Sequence, residues 1–89
     1  MAVRRSPNVI HETVDERAML VSPDGSELLS LNAVGTLVWD LLGTPGDAED
    51  LAARLHPQFE DVPRDELEQD IRQFLDNLLE EGLVQETDA

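Results

Sequence analysis

The hydrophobic pattern changes period once, at residue 32. Before it, apolar residues gather in short clusters split by polar turns. "NVIHET" (8–13), "AMLVS" (18–22) and "ELLSL" (27–31) each read as a strand. "VDER" between the first two is short and polar, as in a hairpin. "SPDG" (22–25) joins the second to the third, because proline fixes φ and glycine accepts φ > 0. Three strands joined this way predict an antiparallel meander. Its third strand lies at an edge, with one row of N–H and C=O groups unpaired. On that strand Glu27, Leu29 and Leu31 face one way, and Leu28 and Ser30 the other.

After residue 32 the period becomes helical. Val34, Leu37, Val38 and Leu41 fall at i, i+3, i+4 and i+7. Asn32 suits the N-cap, so strand runs into helix without a loop. This helix extends over about 33–42 and breaks at "GTPG". Asp47 caps a short second helix through "AEDLAARLH", with Leu51, Ala52 and Leu55 inward, and Pro57 ends it; Phe59 packs just beyond. The longest helix lies within "EDVPRDELEQDIRQFLDNLLEEG" (60–82). Pro63 fits its first turn, acidic residues its positive end and Gly82 its C-terminal cap. Leu67, Ile71, Phe74 and Leu78 share one face, Leu75 and Leu79 widen it, and Asp70 and Asn77 border the other side. The fold class expected is α+β and winged-helix-like: a three-stranded antiparallel sheet followed by three helices. Residues 1–8 read as a flexible N-terminal arm, 9–84 as the domain and 85–89 as a C-terminal tail, with "LVQE" extended.

With 89 residues the chain makes one domain, burying about 60–65% of its unfolded surface. That suffices for one core and leaves little room for a deep enclosed active site. Six arginines and twenty acidic residues give a net charge of −14. Phosphate binding needs a basic surface, so the charge argues against nucleic acid as a partner, and against anionic membranes likewise. There is no cysteine, hence no disulfide or thiolate metal site. No apolar run approaches the roughly 18–20 residues that span a bilayer, and the first residues lack a signal-peptide core. The expected location is cytoplasmic.

Candidate chemistry is sparse. His11 and His56 lie far apart and no metal-ligand spacing accompanies either. "GTPG" lacks the Walker lysine and the Rossmann spacing. Ser22, Ser26 and Ser30 belong to no nucleophile motif. Neither a metal nor a cofactor is expected, and the chain reads as no enzyme. Trp39 lies beside the stripe of the first helix, either as a core anchor or as a wall of a groove. The third helix carries a wider apolar face than one neighbouring helix covers. An edge strand beside such a face forms a groove that an extended peptide can enter as a fourth strand, with alternate side chains in apolar pockets.

"LNAVGTLVWDLL" (31–42), "AEDLAARL" (48–55) and "LEQDIRQFLDNLLEEGLV" (67–84) together resemble the PqqD-like family, the recognition elements (RiPP recognition elements) for leader peptides of ribosomally made, modified peptides. "VSPDGSELLSLN" suits the hairpin before them, so the likeness spans about residues 9–84. The resemblance implies a non-catalytic adaptor whose leader peptide adds to the third strand and packs on the third helix. Carried onto this chain, it points to Glu27, Leu28, Leu29, Ser30 and Leu31, and to Asp70, Ile71, Phe74 and Leu75, with Asp70 a candidate hydrogen-bond acceptor. A free-standing chain with "LNAVGTLVW" is most similar to the discrete members of lasso-peptide clusters. There the partners implied are the precursor's leader, a separate leader peptidase and the cyclase. The alternatives are a PqqD-type chaperone for a radical SAM enzyme and an acidic winged-helix interaction or dimerisation module.

Overall fold

A computed structural model describes residues 2–87. Five strands and three helices follow in the order β1 (Ala2–Arg5), β2 (Ile10–Val14), β3 (Arg17–Val21), β4 (Leu28–Ser30), α1 (Ala33–Leu41), α2 (Ala48–Leu55), α3 (Arg64–Glu80) and β5 (Val84–Thr87), with a 3₁₀ turn over His56–Gln58. The expected meander is present as an antiparallel sheet in the order β2-β3-β4. Val14 pairs with Arg17, so Asp15 and Glu16 alone make the hairpin turn. Both have positive φ, 52° and 67°, as a primed turn matching the strand twist requires. At the next corner the Gly25 N–H donates to the Ser22 carbonyl. The Asp24 carboxylate there accepts from the Ser22 hydroxyl at 2.6 Å and from the Ser26 N–H and hydroxyl at 3.0 and 2.7 Å. These donors, the Ser22 hydroxyl foremost, lower its pKa to about 2.

The passage from strand to helix has a specific chemistry. The Leu31 N–H still donates to the Ala18 carbonyl of β3. One residue later Asn32 accepts the Gly35 N–H on its Oδ1 at 2.7 Å, capping α1. The turn into α1 carries the chain away from β3, and the Thr36 hydroxyl accepts the buried Ala18 N–H at 2.9 Å. Ala18 and Leu20 of β3 are buried with Val38, Trp39 and Leu42 of α1, Leu51 and Leu55 of α2, and Leu67, Ile71 and Leu78 of α3 in one core. Gly82, with φ of 72°, ends α3 in a Schellman motif: the Gly82 and Leu83 N–H groups donate to the Leu79 and Leu78 carbonyls.

The ends of the chain differ from the arm and tail expected. Residues 2–5 form β1, paired antiparallel with β5 in a separate two-stranded ribbon; Met1, Asp88 and Ala89 lie outside the described residues. Val3 is buried and exchanges both backbone hydrogen bonds with Gly46. Arg5 donates to the Trp39 carbonyl at 2.6 Å, and its guanidinium lies 4.9 Å from the centroid of the Trp39 ring. A cation there also suits the negative C-terminal end of α1. The "MAVRR" segment carries little local signal because its partners lie far away along the chain.

Candidate functional site

The ladder between β3 and β4 determines which groups β4 offers outward. The Ser22 N–H donates to the Glu27 carbonyl and the Leu31 N–H to the Ala18 carbonyl, while Leu29 stands opposite Leu20. Hydrogen-bonding direction alternates along an antiparallel strand. Residues 27, 29 and 31 therefore turn toward β3, and Leu28 and Ser30 turn their N–H and C=O groups away from it. Among the described residues no strand pairs with that outer edge. β1, which belonged to the arm in the sequence reading, does not cover it, because it is engaged with β5.

Across the edge stands α3, and the gap between them is hollow. One cavity of about 190 Å³ is walled by Leu29, Ser30 and Leu31 on one side and Phe74, Asn77 and Leu78 on the other. A second of about 240 Å³ continues toward α1, between Val34, Gly35 and Val38 and the Asp70, Ile71 and Phe74 side of α3. Asn32 and Phe74 line both. Leu29 and Phe74 are half-buried, and Leu28, Ser30, Asp70 and Asn77 are exposed. The result is an apolar trench with polar ends, open along a row of unpaired backbone groups. Such a shape accepts an extended chain, whose backbone meets the edge while alternate side chains enter the cavities.

The structure brings together most of the residues singled out from the sequence, with two differences. Leu28, Leu29, Ser30 and Leu31 form the strand side, although Leu31 is itself 3% exposed. Asp70, Ile71 and Phe74 form the helix side, Ile71 as a core residue at 1% exposure. Glu27 lies before β4, in the turn. Its carbonyl accepts from the Ser22 N–H and its N–H donates to the Ser22 hydroxyl, so its backbone has no free edge. Leu75 faces away from the trench. It lines a different cavity, of about 370 Å³, with Val3, Ala48 and Leu79 and the carboxylates of Asp47 and Asp76. One helical step of 100° separates Phe74 from Leu75, enough for the two to line different cavities.

Asn32, Gly35 and Asn77 line the trench and were not among the candidates. Asn77 had a legible signal, since it borders the apolar stripe on the same flank as Asp70. Gly35 is explained only in three dimensions: a Cβ there would lie 3.2 Å from Phe74 Cζ. Trp39 is a core anchor. It is 1% exposed, lines neither trench cavity, and meets the His11 ring edge-on at 5.7 Å. Among the described residues no group of three His, Asp or Glu side chains could hold a metal ion. No helix there is long and apolar enough to cross a membrane. On α3 the guanidinium of Arg72 is paired with Glu68 at 2.9 Å.

A solved structure described as "TbiB1 in Complex with the TbiA(beta) Leader Peptide" is similar to this chain, with a TM-score of 0.84 and 24% identity over 97% of this chain and 99% of that one. At that identity the likeness establishes the fold. No curated protein matches the chain. The family model described as coenzyme PQQ synthesis protein D (PqqD) matches residues 17–84, from the start of β3 through α3 to the first residue of β5. Covering the edge strand, the trench and all three helices, that match shows that the chain belongs to the PqqD family.

Proposed function

We propose that this chain is a non-catalytic recognition element that captures the leader segment of a ribosomally made precursor peptide as a strand added to β4. The observation that carries the reading is the unpaired edge at Leu28 and Ser30, set across an apolar trench from Phe74 and Asn77. Membership of the PqqD family supports it, as does the similar structure, which holds a leader peptide. The finer assignment is to lasso-peptide biosynthesis. There the captured leader, and with it the precursor, is presented to a separate leader peptidase before the cyclase acts. A second reading is favoured by the family description: the same trench holds a peptide for a radical SAM enzyme in cofactor synthesis.

Amide hydrogen exchange tests the capture directly. The Leu28 and Ser30 amides face out of the sheet and exchange fast in the free chain. On adding a leader peptide that the chain binds, both become protected, whereas Leu31, already bonded to Ala18, changes little. Protection confined to β2, the other edge of the sheet, refutes the reading. Co-purification of the loaded complex with the leader peptidase or with the radical enzyme separates the two pathways.

A further inference from the structure

The cavity of about 370 Å³ is larger than either trench cavity and shares no residue with them. Arg72, Leu75, Asp76 and Leu79 fall at i, i+3, i+4 and i+7 of α3 and form one wall of it. The β1–β5 ribbon adds Val3 and Glu86, which are cross-strand partners and so carry their side chains on one face. The first turn of α2 adds Ala48 and Glu49. Val3, Ala48 and Leu75 are buried and Leu79 is half-buried, whereas Glu49, Asp76 and Glu86 are exposed. The cavity therefore has an apolar floor and a carboxylate rim.

The chain supplies no counter-charge to that rim. Among the described residues the ion pairs join Arg54 to Asp50 and Arg72 to Glu68, so none reaches Glu49, Asp76 or Glu86. Arg72, the one cation in the lining, is held by Glu68 on the preceding turn. Carboxylates set over low-dielectric walls focus a negative field. A compact cation does not fit the arrangement, since among the described residues no three acidic or histidine side chains could hold a metal ion. An arginine side chain fits it better. Its aliphatic stem covers apolar surface while its head stays at the rim, and its planar fork of donors serves carboxylates that stand apart.

We propose that this cavity is a docking socket for an arginine presented on the surface of a partner protein, with the stem on Val3, Leu75 and Leu79 and the guanidinium at Asp76 and Glu86. Arg72 is the resident cation that competes with it. A net charge of −14 steers a basic surface toward the chain, and a side chain delivered on a folded partner loses less freedom on entry than a free ion. The socket is separate from the trench, so the proposal goes beyond peptide capture and stands whatever the trench binds.

Titration of the full chain with a blocked glycine-arginine-glycine peptide, followed by amide NMR, tests it. Saturable shifts are expected at Ala48, Leu75 and Leu79, with little change at Leu29 or Phe74. Asp76→Asn and Glu86→Gln each weaken the binding about threefold or more, while Arg72→Gln strengthens it by removing the competitor. The lysine peptide binds more weakly, and the citrulline peptide, uncharged but of the same shape, not at all. Shifts of equal size at other acidic positions such as Asp61 and Glu66 overturn the socket, as does Arg72→Gln leaving the affinity unchanged or lower. Methylguanidinium that binds as tightly as the peptide overturns the part given to the stem and leaves a site for free cations. The same shifts on concentrating the chain alone assign the socket to a second copy and overturn the partner. Shifts confined to the trench overturn the socket and leave peptide capture standing.

Discussion

Proline at position 30 separates the two edges of β4, because Ser30 turns its N–H outward while Leu29 turns its own toward β3. Ser30→Pro deletes an N–H that is unpaired within the sheet. Proline is tolerated where a strand's N–H faces solvent, so the variant folds. In the complex its loss removes one main-chain hydrogen bond and leaves the guest carbonyl facing a ring methylene. One bond contributes about 0.5–1.5 kcal/mol, and a desolvated carbonyl without a partner raises the loss to about 1–3 kcal/mol. That is roughly a 5- to 150-fold weaker Kd. Leu29→Pro breaks the ladder opposite Leu20 and lowers stability first. Ser30→Ala keeps the backbone and holds affinity within about twofold, a few tenths of a kcal/mol. Calorimetric titration with the leader peptide, beside a thermal melt of each variant, measures both quantities. A Ser30→Pro chain that melts like wild type and binds the leader unchanged refutes strand addition at β4.

Three further outcomes follow from the packing. Thr36→Val leaves the buried Ala18 N–H without its acceptor and lowers stability by about 1–3 kcal/mol, read as a fall in Tm of about 4–8 °C per kcal/mol. The Asp24 carboxyl, lowered from 3.8 to about 2, titrates near pH 2 by NMR; its contribution to the turn is complete above pH 3.8 and is lost as pH falls through about 2, and Ser22→Ala moves the midpoint back toward 3.8. Gly82→Ala sets a Cβ on a residue with φ of 72° and destabilises by about 1 kcal/mol, the left-handed penalty less the gain in unfolded-state entropy, measured by urea unfolding.

What was legible in the chain is what depends on near neighbours. The Asn32 cap, the "SPDG" corner, the Gly82 terminus and the stripe on α3 are local patterns with local physics, and each lies where the periodicity predicts. The trench was half legible. The edge of β4 follows from strand order, and Phe74 and Ile71 from the helical repeat. Which flank of α3 faces β4 depends on how α2 and β5 pack against the rest of the helix. Leu75 therefore reads as a neighbour of Phe74 in sequence and lines a different cavity in space. The pairing of β1 with β5 was not legible, although "LVQE" read as extended. Four-residue strands joined across the whole length of the chain have no periodic signal, and the contact of Arg5 with the end of α1 spans 34 residues of sequence.

The short edge of β4 also explains why something other than backbone must select the guest. Only Leu28 and Ser30 face outward, each with one N–H and one C=O. Taken together these groups contribute on the order of 2–6 kcal/mol, against an association cost of about 4–15 kcal/mol in lost freedom. Over most of these ranges the edge alone falls short of that cost, for a foreign strand and for a second copy alike. Copies carrying a net charge of −14 repel as well, at separations within the Debye length of about 8 Å. The same arithmetic that keeps the edge vacant requires a captured peptide to fill the trench beside it. Apolar burial at about 25 cal/mol per Å² against Leu29, Phe74 and Leu78 supplies what the main chain lacks. On the capture reading, register thus comes from the edge and choice of sequence from the cavities, so substitutions at Asp70, Phe74 and Asn77 change which peptide is bound, while substitutions of the β4 backbone change whether any is.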